Sequence, residues 1–258
     1  MKNKYLKEYI DLYRFISYFY QIDLVRKVFH WHSSTPLNKK TILEVGVGNK
    51  IVSDYFKKEG MIVETCDIDK SLNPDYVDDV RHLFTIKKKF DIVIAYEILE
   101  HIPFENQYDG VKDALGELYD VSKKHVIISI PYSSARFEIV FNLSLLKRYT
   151  KSFLFRVPYF FKDIKFNGEH YWEMGRKNYP ISKVRKMLQR YFTIKEEITP
   201  ILNSYHYFFV LEKKKLPKCK NCRSYDKVCV GKIKNFIGFN DYCENCGYGW
   251  EDAKNKSK

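Results

Sequence analysis

The stretch Thr41–Gly48, TILEVGVG, read together with the acidic run Asp67-Ile68-Asp69 that closes the next apolar segment, constrains this chain more than any other feature. A β-branched apolar run that ends in an acid and then in glycines spaced G-x-G suits a buried parallel strand delivering its carboxyl end to a ligand. Gly46 and Gly48 let the backbone turn sharply and come close to that ligand. An acid at the end of the following strand would meet a ribose, whose paired hydroxyls donate well to a carboxylate. Dinucleotide binders use G-x-G-x-x-G, in which the third glycine lets the helix pack on the strand while a pyrophosphate sits on the helix N-terminus. Here that position is Ile51, and Glu44, just before the loop, would repel a pyrophosphate. An acid at that place is easier to explain if it orients a cationic amino group.

A repeating strand and helix pattern follows from Lys40. Strands are expected at 41–46, 61–66, 90–97 and 125–132, with VDDV at 77–80 between the second and third of these. A short helix near Val52–Lys58 carries a C-terminal signal in Gly60. An amphipathic helix from about Glu105 to Lys123 turns Val111, Ala114, Leu115, Leu118 and Val121 inward. Such alternation predicts right-handed crossovers and a ligand at the carboxyl ends of the strands. Pro180 opens another helix, and strands near 192–199 and 205–212 are joined too closely to be anything but an antiparallel hairpin.

Residues 1–37 read as a helical preamble with Leu6, Tyr9, Ile10, Tyr13, Ile16 and Tyr20 on one stripe, covering a sheet edge or lidding the ligand. His30-Trp31-His32 puts both histidines on one face only in a strand, and no third ligand lies nearby, so it is read as a packed or surface cluster. The regular pattern breaks at 133–167 into an aromatic and basic insertion. Ala135–Phe166 holds seven Lys or Arg against Glu138 and Asp163. This insertion is expected to be a lid over the carboxyl edge, with an interfacial helix pair on anionic lipid, or part of the core, as alternatives.

Four segments in order carry a resemblance to a known family: ILEVGVG at 42–48, the acid after the second strand, the Asp pair at the third, and FDIVIAYEILEHIP at 90–103. E-x-G-x-G resembles motif I of class I S-adenosylmethionine-dependent methyltransferases. The segment at 90–103 is similar to the L-E-H pattern of the branch acting on small molecules, lipids and glycans. The resemblance covers roughly 38–213 and implies a Rossmann-like α/β fold, a seven-stranded mostly parallel sheet with an antiparallel last strand. It places S-adenosyl-L-methionine with its methionine part at Gly46 and Gly48 over Glu44, and its ribose at Asp67, with Asp69 as the alternative. Adenine would meet Asp79 and Val80, and the reactive end Tyr96 and Glu97. Glu97, His101 and His170 are the candidates for taking a proton from the methyl acceptor. For the two histidines a structural role stands beside the catalytic one. An N-P-P-Y-like tetrad after the fourth strand would signal base N-methylation; Ala95-Tyr96-Glu97-Ile98 stands there instead.

Beyond Lys215 the composition changes, and 216–258 is expected to be a small zinc ribbon. Cys219 and Cys222, then Cys243 and Cys246, give two C-x2-C knuckles at a spacing suited to one tetrahedral zinc ion. So short a segment cannot bury enough core to fold alone, which makes the metal its stabiliser. Four thiolates leave no open position, so the zinc would be structural. The methyltransferase domain is expected to span 38–215.

The net charge of +13 fits a nucleic-acid or membrane-surface partner, or simply a lysine-rich composition of an A+T-rich genome. No run of eighteen apolar residues occurs and the first residues lack a signal-peptide core, so a cytoplasmic protein is expected. The leading expectation is methyl transfer to an oxygen or nitrogen of a small-molecule, glycan or lipid-linked acceptor. A non-catalytic adaptor, binding nucleic acid or protein through the ribbon and the basic insertion, is the alternative.

Overall fold

The computed structural model of the chain describes residues 11–30, 36–102, 109–143, 149–163, 166, 168–216, 228–235 and 238–243. The chain divides after Lys213 into two units.

The first unit is built on the strands β1 (Thr41–Val45), β2 (Ile62–Asp67), β3 (Tyr76–Val77), β4 (Phe90–Tyr96) and β5 (Ser122–Pro131), followed by β6 (Ser134–Leu143), β7 (Tyr149–Pro158), β8 (Phe192–Ile198) and β9 (His206–Lys213). Seven of them form one sheet in the order β3-β2-β1-β4-β5-β9-β8. β1 to β5 run parallel, and β9 is antiparallel to both its neighbours. The central strands are apolar because both faces are covered, as a parallel sheet requires. Asp91 ties the starts of β1 and β4, accepting from the Thr41 N–H at 2.9 Å and from its hydroxyl at 2.7 Å.

One face is covered by α1 (Leu12–His30) and α2 (Ile51–Lys58). Leu24, Val25, Val28 and Phe29 of α1 join Val52 and Phe56 of α2 against Ile42, Ile92, Ile94, Ile127 and Phe208. Each such side chain taken out of water contributes about 1.5–3 kcal/mol. Of the stripe expected from the sequence, Tyr13 is exposed while Ile16 and Tyr20 are part-buried, Tyr20 against the core; the fully buried face starts at Ser17 and Gln21. Leu6, Tyr9 and Ile10, like Trp31 and His32, lie outside the described residues; His30 ends α1 exposed. α3 (Asp109–Val121) buries Val111, Ala114, Leu115, Leu118 and Val121 as its periodicity demands. α4 (Ile181–Leu188) buries Val184, Met187 and Leu188.

The insertion is strand, not an interfacial helix pair. β6 and β7 form a separate antiparallel ribbon, in register from Ser134 opposite Pro158 to Leu143 opposite Tyr149. Its base is pinned by arginines: Arg136 donates to the Pro200 carbonyl at 2.7 Å, and Arg156 to the Ser134 and Thr199 hydroxyls and the Ser204 carbonyl. The Arg156 guanidinium also lies 4.6 Å over the Tyr132 ring. A cleft of about 420 Å³ opens beside this base. Its third arginine, Arg185, is held in two-pronged fashion by Glu197.

In the second unit β10 (Val228–Asn235) and β11 (Gly238–Cys243) pair antiparallel, with Val228 opposite Cys243. Cys243 closes β11; Cys219, Cys222 and Cys246 lie outside the described residues. No helix among the described residues is long and apolar enough to cross a membrane.

Candidate functional site

The site builds from the carboxyl ends of β1, β2 and β4, which the parallel pairing brings to one edge. After β1, Gly46 (φ +80°) and Gly48 (φ +46°) both take left-handed backbone, where side chains are strained. A Cβ on Gly46 would stand 1.9 Å from Ile98 Cδ1, so this glycine makes room for the residue leaving β4 rather than for a ligand. A Cβ on Gly48 would meet nothing within 4 Å, and its backbone faces open space. The loop is fastened to β2: the Gly46 N–H donates to the Cys66 carbonyl at 2.8 Å and the Val47 N–H to Asp67 Oδ2 at 2.8 Å. Asp67 Oδ1 accepts from the Asp69 N–H, also at 2.8 Å. A carboxylate accepts at about four lone pairs, which leaves Asp67 acceptor capacity for two hydroxyls.

The other acids of this half are placed differently. Asp69 is exposed and caps a short 3₁₀ turn, accepting from the Ser71 N–H at 2.8 Å. Asp79 takes the Arg81 N–H, Nε and Nη2, and these bonds hold its carboxyl below the usual range. Val80 is buried beside it. Glu44 is buried, and desolvation pushes it up to about 8 against hydrogen bonding from Ser53. Its Oε2 has no hydrogen-bond partner among the described residues. Tyr96 turns into the layer under α1, its hydroxyl donating to the Gln21 carbonyl at 3.1 Å and its ring packed on Phe208. α1 reaches the glycine loop as well, since Asn49 Nδ2 donates to the Tyr18 hydroxyl at 2.6 Å.

At the end of β4 the chain turns sharply. Glu97 has φ +53°, and its N–H donates to Ser129 Oγ at 3.0 Å. Its carboxylate lies 3.2 Å from His206 Nδ1 on β9, though the ring N–H is not aimed at it. Burial alone would raise Glu97, but His206, Ser129 and His170 together outweigh it and lower the carboxyl, while Glu97 in turn raises His206. Glu100 follows in the 3₁₀ turn Leu99–His101, fully buried. Desolvation first, and the Glu97 carboxylate second, hold Glu100 well above the usual carboxylate range.

The loop Gly168–Gly175 docks onto this turn. The Tyr171 N–H donates to the Glu100 carbonyl at 2.9 Å, and Trp172, buried, gives its indole N–H to the Leu99 carbonyl at 2.9 Å. Gly175 (φ +89°) is required where the loop passes the residues after β5, because a Cβ there would lie 2.4 Å from the Ser133 carbonyl. This docking sets His170 against His101, ring centroids 5.0 Å apart. Glu173 gathers His170 Nδ1, the Tyr205 hydroxyl, Ser133 Oγ and Arg176 around its carboxylate. Burial opposes its ionisation, yet those four partners bring it to about 2.

Glu97, His101 and His170 thus fall into one cluster. Asp67 and Gly48 belong to the loop side of the same edge, whereas Tyr96 is packed into the core. Glu100, Glu173, Tyr205 and His206 had not been singled out. Glu100 sits next to His101 in ILEH and Glu173 three residues after His170, a spacing that invited the reading; nothing near His206 in sequence marks it.

A scan against models of protein families gives no match, and a comparison with curated proteins gives none. Solved structures do match. Magnesium protoporphyrin IX methyltransferase from Synechocystis, with bound S-adenosylhomocysteine, is 13% identical over 81% of this chain and 90% of its own, with a TM-score of 0.50. The N-methyltransferase NodS from Bradyrhizobium japonicum, also with S-adenosylhomocysteine, is 10% identical over 83% of this chain and 94% of its own, again at 0.50. The fold is that of the class I methyltransferases. In this methyltransferase fold the open Gly48 backbone and the Asp67 carboxylate stand at the strand ends where a ligand is expected.

Proposed function

We propose that the chain transfers the methyl group of S-adenosylmethionine to an oxygen or nitrogen of a small-molecule, glycan or lipid-linked acceptor. The observation that carries this reading is the Asp67 carboxylate, fixed by the Val47 and Asp69 N–H groups beside the open backbone of Gly48. A ribose diol fits its remaining acceptor capacity, and the buried Glu44 would answer the cofactor's ammonium. Glu97, His101 and His170 occupy the neighbouring strand end, where the acceptor would be held. A sulfonium is already an activated donor, so orientation, worth roughly 7–11 kcal/mol in favourable cases, is the chief requirement. A hydroxyl or ammonium acceptor also needs a base, for which the ionised Glu97 and the two histidines are the nearest groups. Calorimetric titration with S-adenosylhomocysteine tests the cofactor half, and labelling of a cell extract with a methyl-labelled cofactor identifies the acceptor.

The exposed apolar side chains of β6 and β7, among them Phe137, Ile139, Phe141, Phe153 and Phe155, favour an acceptor presented at a lipid surface. Flotation of the protein with anionic vesicles, with and without residues 135–157, tests that reading.

For the second unit we keep the zinc ribbon as a proposal. The β10–β11 hairpin lies between the two cysteine pairs, and its register puts Cys243 at the end where the chain arrives from Cys222. Cys219, Cys222, Cys243 and Cys246 would hold one structural zinc ion. Replacing it by cobalt should give the thiolate charge-transfer band, and C219S/C222S should abolish it.

A further inference from the structure

Glu100 has no exposed surface, and neither of its carboxylate oxygens has a hydrogen-bond partner among the described residues. Arg176 is committed to Glu173. A buried carboxyl forgoes its hydrogen bonds to water, a loss that a cation beside it would offset. Two imidazoles face Glu100. One potential ligand atom from each of Glu100, His101 and His170 lies within 4.8 Å of the others. His101 Nε2 stands 3.9 Å from Glu100 Oε1.

The orientation of both rings is set from behind. His101 Nδ1–H donates to the Glu169 carbonyl at 2.8 Å, and His170 Nδ1–H to the Glu173 carboxylate at 3.0 Å. This is the outer shell that metal-bound histidines use: a carbonyl or carboxylate fixes the tautomer and presents Nε2 as the ligand. We propose that Glu100, His101 and His170 form a binding site for one divalent first-row transition ion at the carboxyl end of β4.

Ligands about 2.1 Å from one ion stand about 3.0–3.5 Å apart, so closing the site takes up to about 1.3–1.8 Å between ligand atoms, shared by side-chain rotations that include the His101 side chain, 44% exposed. Two imidazoles and one carboxylate suit Zn2+, Mn2+, Fe2+ or Co2+ and leave positions open for water or a substrate oxygen. On the methyl-transfer reading, an acceptor hydroxyl taking such a position would become more acidic. That consequence rests on the proposed function; binding of the ion does not.

The test uses the full chain, loaded with excess Zn2+ and freed of loosely held ions, with metal counted per chain. H101A, H170A and E100Q should each hold one equivalent fewer than wild type while keeping the wild-type circular dichroism and the cysteine-bound metal. H101A, at a surface side chain, is the variant least able to disturb the fold. E173Q, which reaches the proposed ligands through His170, should weaken Co2+ binding at this site about 10–100-fold without removing a ligand. Equal metal content in wild type, H101A and H170A would overturn the proposal, as would a wild type carrying no metal beyond its cysteine site. S-adenosylhomocysteine titrations of the same samples separate this outcome from a failure of the methyl-transfer reading.

Discussion

The backbone N–H of Val47 donates to Asp67 Oδ2 at 2.8 Å, so the glycine loop after the first strand is held by the acid that ends the second. One carboxylate therefore shapes the loop and keeps acceptor capacity beyond its two backbone donors. Asp67→Ala removes the acceptor for two backbone N–H groups as well as for a ligand diol. Hydrogen bonds to a charged group are each worth about 1.5–3 kcal/mol. We expect S-adenosylhomocysteine affinity to fall by about 10–100-fold and thermal stability to drop. Asp67→Asn, which keeps an acceptor oxygen, should fall between the two.

Gly46 and Ile98 form a coupled pair. Gly46→Ala places a Cβ where Ile98 Cδ1 lies and forces a left-handed alanine, a strain of about 1–2 kcal/mol. Ile98→Ala opens that space. The double variant should be less destabilised than the sum of the single ones, by urea denaturation, because the steric part of the cost is shared.

Glu44 gives a pH dependence of defined sign. Its folded value of about 8 lies above its ordinary 4.5, so between these the folded chain keeps a proton that the unfolded chain releases. Stability falls as pH rises through this window, with a slope on the order of 1 kcal/mol per pH unit at most. Glu44→Gln should lack this dependence, so the wild-type-minus-variant difference in urea midpoint should fall from pH 5 to 8. If a cofactor ammonium pairs with Glu44, binding at pH 7 should release a proton, detectable by calorimetry in buffers of different ionisation enthalpy.

Trp172 carries the docking of the His170 loop. Trp172→Phe keeps most of the packing but removes the indole donor of the buried Leu99 carbonyl, which keeps the Ile102 N–H at 3.3 Å, at a cost of about 0.5–1.5 kcal/mol. Melting temperature should fall accordingly.

The order of the main sheet was legible because its central strands are apolar runs separated by helical spacing, and because the link between Ile198 and His206 is too short for a crossover. α3 was legible for the same reason: Val111 to Val121 recur at one face. The insertion was not, since an aromatic and basic stretch without clear alternation fits a lid, a helix pair or a strand ribbon equally. The stripe on α1 was placed only in part because aromatic residues lie on several sides of that helix, and packing against Phe56 and Ile92, not periodicity, decides which face is buried. Of the site, Asp67, Glu97, His101 and His170 could be named from motif and residue type. Glu100 and Glu173 were not named, since their burial comes from the docking of the 168–175 loop, which has no local signal. His206 reaches Glu97 only through the antiparallel pairing of β9 with β5, where Pro131 stands opposite it, a long-range fact with no local signal.

The most direct measurement of the central claim is calorimetric titration of the purified full chain with S-adenosylmethionine and S-adenosylhomocysteine. One-to-one binding of both, weakened by Asp67→Ala, is the expected result. A folded wild-type chain that binds neither would contradict it.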